Sequence, residues 1–291
     1  MTPVLRLCGR ELDLSQPVLM GIVNATPDSF SDPQGPKRAE ELAARGLRLV
    51  EDGAAIVDVG GESGRTDTDT VPVQEEVERV VPVVERLAAG GVLVSVDTWR
   101  APVARAALEA GAAMINDVSG LSDDGLAGEC ADHRAALVIT HTGAAPKTKA
   151  FPRYDDVVRD VCGFLDERMA AARSAGVEED AIVLDPGIDL AKTPAESIEL
   201  LRRLPEVAAL GPPLLLAVSR KDFVGALTGR PPAARDAGTL AAVGAAVAGG
   251  ARIVRVHDVA GARDYLLVYE ALEDGADAGL ELDPELRREV V

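Results

Sequence analysis

The sequence predicts a (β/α)₈ TIM barrel, an α/β fold, preceded by an N-terminal β-hairpin. Three observations carry that expectation. Eight short runs are continuously apolar: 18–23, 55–57, 92–96, 112–115, 136–140, 181–184, 214–218 and 253–254. Segments of helical pattern separate them. Each run ends in polar residues: Asn24, Asp58, Asp97, Asn116, His141, Asp185, Ser219, and Arg255 with His257. A short run with no polar alternation reads as a strand buried on both faces, the habit of parallel sheets. Barrels of this kind place their active sites at the C-terminal ends of the strands, so the polar tips mark a candidate reaction rim. The 291 residues suit one barrel, which needs roughly 250.

In chain order, residues 1–16 come first, where 3–15 alternate around Gly9 and read as a hairpin that plugs the N-terminal end of the barrel. Helices are expected over 36–51 and 73–88, the second with Val77, Val80, Val81, Val84 and Leu87 at helical spacing. Pro102 opens a short helix that ends at Gly111, and Asp123 and Asp124 open another. Further helices are expected over 155–175, 194–208, 236–248 and 261–272. Proline near the starts and glycine near the ends follow the usual asymmetry of helix signals. One domain over 1–273 is expected, then an acidic tail over 274–291 without a full apolar face.

Composition excludes several classes of function. The net charge of −18 disfavours nucleic acid as a partner, because binding a phosphate backbone rests on Lys and Arg. Aromatics are only 3% against 47% hydrophobic residues, so the core must be Ala, Val and Leu. Cys8, Cys130 and Cys162 are far apart and form no C-x-x-C pattern, which argues against a disulfide framework or a structural zinc site. No apolar run approaches the ~20 residues of a membrane span, and no signal-like N-terminus precedes the hairpin. A cytoplasmic protein with no membrane partner is expected.

The chemistry lies in the loops after the strands. The first reads Asn24-Ala-Thr26-Pro27-Asp28-Ser29-Phe30-Ser31 and the second Asp58-Val-Gly60-Gly61-Glu62-Ser63-Gly64-Arg65-Thr66. Taken singly, these motifs have plain structural readings. Asp97 or Asp185 reads equally well as a helix N-cap, His257 as a hydrogen-bonded rim histidine, and Trp99 as packing. His133 reads as a surface residue and His141 as pocket lining. Taken in order, the first two loops are followed by Ser95-Val-Asp97-Thr98, Ile115-Asn116-Asp117, Asp185-Pro-Gly187 with Lys192-Thr193, Ser219-Arg220-Lys221 and Arg255-Val-His257-Asp258-Val259. This series, spanning Asn24 to Val259, resembles the dihydropteroate synthases of the pterin-binding family.

The resemblance implies a transferase that joins 6-hydroxymethyl-7,8-dihydropterin diphosphate to p-aminobenzoate and releases pyrophosphate. It places Asp97, Asn116, Asp185 and Lys221 in the pterin pocket, with Asp97 and Lys221 as the catalytic pair. A pterin edge of amide, amine and ring nitrogens needs buried donors and acceptors, which those four supply. Asp97 would stabilise positive charge developing on the pterin methylene. The resemblance further implies that Asn24, Arg65, Arg255 and His257 hold the diphosphate, that Asn24 binds Mg²⁺, and that the enzyme is a homodimer. Gly64, Thr66, Leu190 and Ser219 fall on the p-aminobenzoate side.

Departures from the family pattern gather on that side. The second loop usually reads Ser-Thr-Arg-Pro but here is Ser63-Gly64-Arg65-Thr66, and the usual Phe-Gly-Phe-Gly/Ala-Lys is Ile188-Asp189-Leu190-Ala191-Lys192. Asp189 would set a carboxylate near an anionic acceptor, at a cost of several kcal/mol unless Lys192 offsets it. The loop carrying Lys147 and Lys149 reads either as an anion site or as solvated chain. An alternative is therefore a divergent paralogue that binds pterin diphosphate but uses another acceptor or is non-catalytic. A corrinoid-linked methyltransferase fits less well, having no need of a diphosphate site. A generic aldolase also fits less well, because the strand-tip lysine, Lys221, sits inside the pterin motif.

Overall fold

The computed structural model describes residues 4–26, 36–62, 69–275, 280–281 and 283. Strands β1 (Val4–Leu7) and β2 (Arg10–Asp13) form an antiparallel hairpin. Its turn places Cys8 at φ 50° and Gly9 at φ 74°, the backbone of a type I′ connection. Eight parallel strands then close a barrel: β3 (Val18–Asn24), β4 (Ala54–Gly60), β5 (Val94–Asp97), β6 (Met114–Asp117), β7 (Ala136–Thr140), β8 (Ile182–Asp185), β9 (Leu214–Leu216) and β10 (Ala251–Val256). β10 pairs with β3 to complete the ring.

Helices α1 (Pro36–Glu51), α2 (Val73–Ala89), α3 (Ala101–Glu109), α4 (Leu126–His133) and α5 (Val157–Ser174) fill the early crossovers. α6 (Pro194–Arg202) and α7 (Leu204–Ala208) replace the single helix expected over 194–208. The break falls at Arg203, two residues before Pro205, which has no N–H to continue the helix and whose ring would meet the carbonyl of residue 201, so it sits in the first turn of α7. α8 (Asp222–Thr228), too short to show in the pattern, follows Lys221, and α9 (Asp236–Ala248) and α10 (Val259–Asp274) complete the sleeve.

Alternation along each strand sorts the apolar residues into two clusters. Leu19, Val57, Ile115, Leu137, Leu184, Leu214 and Val254 face the helices. Their neighbours Met20, Ile56, Met114, Val138, Val183, Leu215 and Ile253 fill the bore. The hairpin belongs to the inner cluster: Leu5, Leu7 and Leu14 pack on it. Cys8 N–H donates to Arg134 O at 2.6 Å, just ahead of β7. The hairpin thus plugs the N-terminal end, and the bore has an apolar floor. Side chains two residues further along each strand point into the same bore. That parity positions the site.

Leu5 is fully buried under the barrel. Leu5→Ala is expected to cost about 2–5 kcal/mol, the range for truncating a buried leucine. Urea unfolding measures it. A loss below about 1 kcal/mol would mean that the hairpin lies on the barrel without sealing it.

Candidate active site

One step above the floor, the bore turns polar. Asp58 on β4, Asn116 on β6, Thr140 on β7 and Asp185 on β8 are buried there, and Arg255 enters from β10. Arg255 Nε donates to Asp58 Oδ2 at 2.7 Å, and its terminal nitrogen donates to Asp97 Oδ2 at 3.0 Å. Asn116 Nδ2 donates to the same Asp58 oxygen at 3.2 Å. One guanidinium therefore links the carboxylates of two strands. Burial works against the charge on Arg255, but Asp58 and Asp97 hold it protonated. Burial pushes the Asp97 carboxyl up to about 7 against the pull of Arg255, and Asp58 adds to the rise.

Several polar atoms at this level have no protein partner. Asp58 Oδ1, Asn116 Oδ1, Ser95 Oγ and Thr140 Oγ1 are buried and unpaired. Buried polar groups normally find a partner, so these atoms mark where a polar ligand or ordered water belongs. Asp185 Oδ1 accepts from Gly187 N–H at 2.7 Å. Burial raises the Asp185 carboxyl, opposed by that bond and by Lys221. Lys221, at the end of the loop after β9, is pulled below the usual lysine range by burial, with Asp189 and Asp185 opposing.

The rim sits above. Asn24 is exposed at the tip of β3, paired in register with Gly60. His257 Nδ1 lies 2.8 Å from Ser219 Oγ. The residue assigned to diphosphate and the one assigned to the acceptor are thus direct neighbours. Burial lowers His257 to about 4, with Arg220 and Arg255 adding to the effect, which favours the neutral ring in the free site. Arg255, assigned from the resemblance to diphosphate alone, is shared with Asp97 of the pterin group. Gly64, Arg65 and Thr66 lie outside the described residues.

Three charged side chains near the acceptor side are occupied within the fold. Asp189 accepts from Ser197 Oγ at 3.0 Å and from the Asp222 backbone N–H, so its carboxylate is tied to α6 and α8. Lys192 does not offset it. Lys192 Nζ lies 2.8 Å from His141 Nδ1 and donates to Gly187 O at 2.9 Å and Leu190 O at 3.1 Å. Burial lowers Lys192 to about 7 and His141 to about 3. Leu190 is half-buried in that turn. Gly187 adopts φ 71°, and a Cβ there would lie 1.9 Å from His141 O, so glycine is required where the two loops touch. The Lys147 side chain is paired with Glu62 at 3.6 Å and is largely buried, while Lys149 of the same loop is exposed, so the loop is tied down at one lysine and solvated at the other.

A family model described as pterin binding enzyme matches residues 20–257. This chain belongs to that pterin-binding family. It is similar to the dihydropteroate synthase of Neisseria meningitidis serogroup C, 44% identical over 270 residues that cover 90% of this chain and 95% of that one. The dihydropteroate synthase of Escherichia coli K12 is 39% identical over 265 residues, covering 90% and 94%. Among solved structures, Xanthomonas albilineans dihydropteroate synthase with 4-aminobenzoic acid superposes with a TM-score of 0.88 at 45% identity, covering 94% of this chain and 99% of that one. The same enzyme with 7,8-dihydropteroate gives 0.84 at 45% identity, covering 93% and 99%. The expectation of a transferase of the dihydropteroate synthase type is borne out by these relatives.

Within this pterin-binding enzyme, Asp58 is the buried carboxylate of the polar layer that sequence reasoning did not assign to the site. It was visible as a strand tip, but nothing local shows that it would meet Arg255, 197 positions away in the chain.

The charge states of the histidines are directly measurable. In a proton NMR titration of the free enzyme, His257 and His141 are expected to remain neutral at pH 5.5, well below the ordinary value of about 6.5. Titration of either ring between pH 6 and 7 would contradict the burial described for them.

Proposed function

We propose that this enzyme condenses 6-hydroxymethyl-7,8-dihydropterin diphosphate with p-aminobenzoate and releases pyrophosphate. One observation carries the reading: the polar layer of the bore, where Arg255 bridges Asp58 and Asp97 beside Asn116 and Asp185. Its unpaired oxygens on Asp58 and Asn116 suit the amide and amine edge of a pterin. Lys221 donates to a ring acceptor from the rim side. The acceptor's amine nitrogen forms a bond to the pterin methylene carbon as the carbon–oxygen bond to diphosphate breaks, and the amine then loses a proton. Positive charge that builds on the methylene faces the Asp97 carboxylate, already oriented by Arg255, so little reorganisation is needed. Ser219, bonded to His257, stands between the leaving group and the acceptor.

The rim residues fit a requirement for Mg²⁺. Arg255 is balanced by Asp58 and Asp97, Arg220 pairs with Asp236 at 2.9 Å, and the neutral ring of His257 is favoured in the free site. These groups leave most of the diphosphate charge uncompensated. Asn24 offers an exposed amide oxygen, and among the described residues no group of three His, Cys, Asp or Glu side chains forms a cage of its own. A cation that leans on phosphate oxygens and water matches such a donor set. Bound beside Asn24, Mg²⁺ would offset charge accumulating on the leaving diphosphate.

We also place two copies together through α10. Val268 and Leu272 are strongly exposed, and Tyr265 and Tyr269 stack at 6.1 Å on the same stripe. Residues at i, i+3, i+4 and i+7 form one helix face, and an apolar face of this kind suits a symmetric partner. Three free cysteines fit a reducing compartment, and no described helix is long and apolar enough to cross a membrane. We place the reaction in the cytoplasm.

Pyrophosphate release from pterin diphosphate and p-aminobenzoate tests the reaction. Turnover is expected with Mg²⁺ and its loss with EDTA. Asp97→Asn, nearly isosteric, is expected to fold and to lose about 10²–10³ in rate; parental activity in this variant would refute its role. In the parent, the carboxylate forms as pH rises through about 7, so kcat/KM is expected to fall on the acidic side of that value. For the assembly, Leu272→Glu is expected to convert a dimer to a monomer in analytical ultracentrifugation. An unchanged mass for parent and variant would remove α10 from the interface.

A further inference from the structure

A buried ion cluster outside the polar bore has no role in the reaction as described. Arg100 follows Asp97 by three residues and occupies the N-cap position of α3. Its guanidinium makes three bonds. One terminal nitrogen donates to Val71 O at 2.6 Å and to Glu76 Oε2 at 2.8 Å, and the other donates to Glu62 Oε2 at 2.6 Å. The remaining Glu62 oxygen accepts from Val71 N–H at 3.3 Å and faces Lys147 Nζ at 3.6 Å. The Glu62 and Glu76 side chains are each 1% exposed, Lys147 8% and Arg100 14%. Arg100 also lies over the Trp99 ring at 5.1 Å, and its backbone N–H donates to Thr98 Oγ1 at 3.4 Å.

The chain thus commits two carboxylates and two cations to one nearly water-free cluster. Net stability is a poor reason for such a cluster: desolvation offsets most of the attraction, and apolar replacements of equal volume are often neutral. Geometry is a better reason, because a guanidinium with three fixed acceptors allows one arrangement. The arrangement here joins three loops of the reaction rim. Glu62 stands before, and Val71 after, the stretch that contains Arg65. Lys147 belongs to the loop after β7, and Arg100 itself continues the strand that carries Asp97.

We infer that Arg100 is a positioning residue that holds Glu62, Val71 and Lys147 in fixed relation to Asp97 and so shapes the outer, acceptor half of the site. The inference rests on the condensation proposed above. None of these bonds reaches Asn116, Asp185 or Lys221, so the deep half of the bore meets the cluster only at Asp97, on which the Glu76 charge acts. The amine must reach the methylene from the rim, and the outer half is where the loops join.

Two measurements test this, one of which needs no turnover. Trypsin cleavage after Arg65, followed by mass spectrometry on the full-length protein, reports how firmly the flanking residues are held. Arg100→Met, apolar and of similar length, is expected to speed that cleavage about tenfold. In kinetics, Arg100→Met is expected to raise KM for p-aminobenzoate about tenfold, with affinity for a plain pterin changed less than about twofold. Arg100→Lys should recover part of both effects. Should Arg100→Met fail to fold, Glu62→Gln, which weakens the same bond but keeps its shape, is expected to move both readouts the same way by a smaller factor. Unchanged cleavage, or a lower melting temperature with unchanged kinetic constants, overturns the inference and leaves the cluster purely structural. Equal losses for pterin and p-aminobenzoate also overturn it. Faster cleavage in a protein whose parent shows no turnover would uphold the pinning of the loops but overturn its link to the acceptor, with the fault in the proposed reaction.

Discussion

A guanidinium held between two carboxylates governs the electrostatics of this barrel. Arg255 enters the bore from the last strand and meets Asp58 and Asp97 from two adjacent ones. A buried charge that loses its partner costs about 3–5 kcal/mol, so none of the three can change alone without disturbing the others. The arrangement also sets their chemistry. Arg255 keeps Asp97 oriented, while burial keeps that carboxyl near the point of ionisation. Asp58 spends one oxygen on Arg255 and Asn116 and keeps the other free inside the bore. The apolar floor of Met20, Ile56, Met114, Val138, Val183, Leu215 and Ile253 supports this layer, and the low local dielectric there gives each of its hydrogen bonds more weight.

Much of this was legible in the sequence, because strand alternation is a local property. An apolar run followed by a polar residue marks a strand tip, and Asp58, Asp97, Asn116, Asp185 and Arg255 were all marked that way, while the resemblance to the pterin-binding family assigned the last four, and not Asp58, to the site. The partnerships among them were not legible. They depend on which strands become neighbours, and Asp58 was left unassigned for that reason. The same limit applies to the charges of the outer loops. Asp189, Lys192 and Lys147 looked available for substrate, yet each is committed to a partner from another loop. The neighbours of His257 in sequence do not reveal that it is half-buried beside Arg220 and Arg255, which lowers its pKa. The helix after Lys221 escaped because seven residues are too few to show a period, and Pro205 divided a helix that read as continuous.

Two layers of constraint divide the molecule by height. Below the polar layer, parity and packing decide everything, and substitutions act on stability. At and above it, side chains are tied to one another across loops: Ser219 to His257, Lys192 to His141, Glu62 to Arg100. Changes there act on where groups stand more than on whether the barrel forms.

The hairpin under the barrel has a consequence for traffic. With Leu5, Leu7 and Leu14 closing the far end, the bore is a well with a single opening and not a passage. Whatever binds deepest must enter before anything that lies across the mouth. It can leave only after that outer occupant has moved or become part of the same molecule. Joining the two substrates into one product meets that condition, because a product that spans the depth of the well withdraws as a single body.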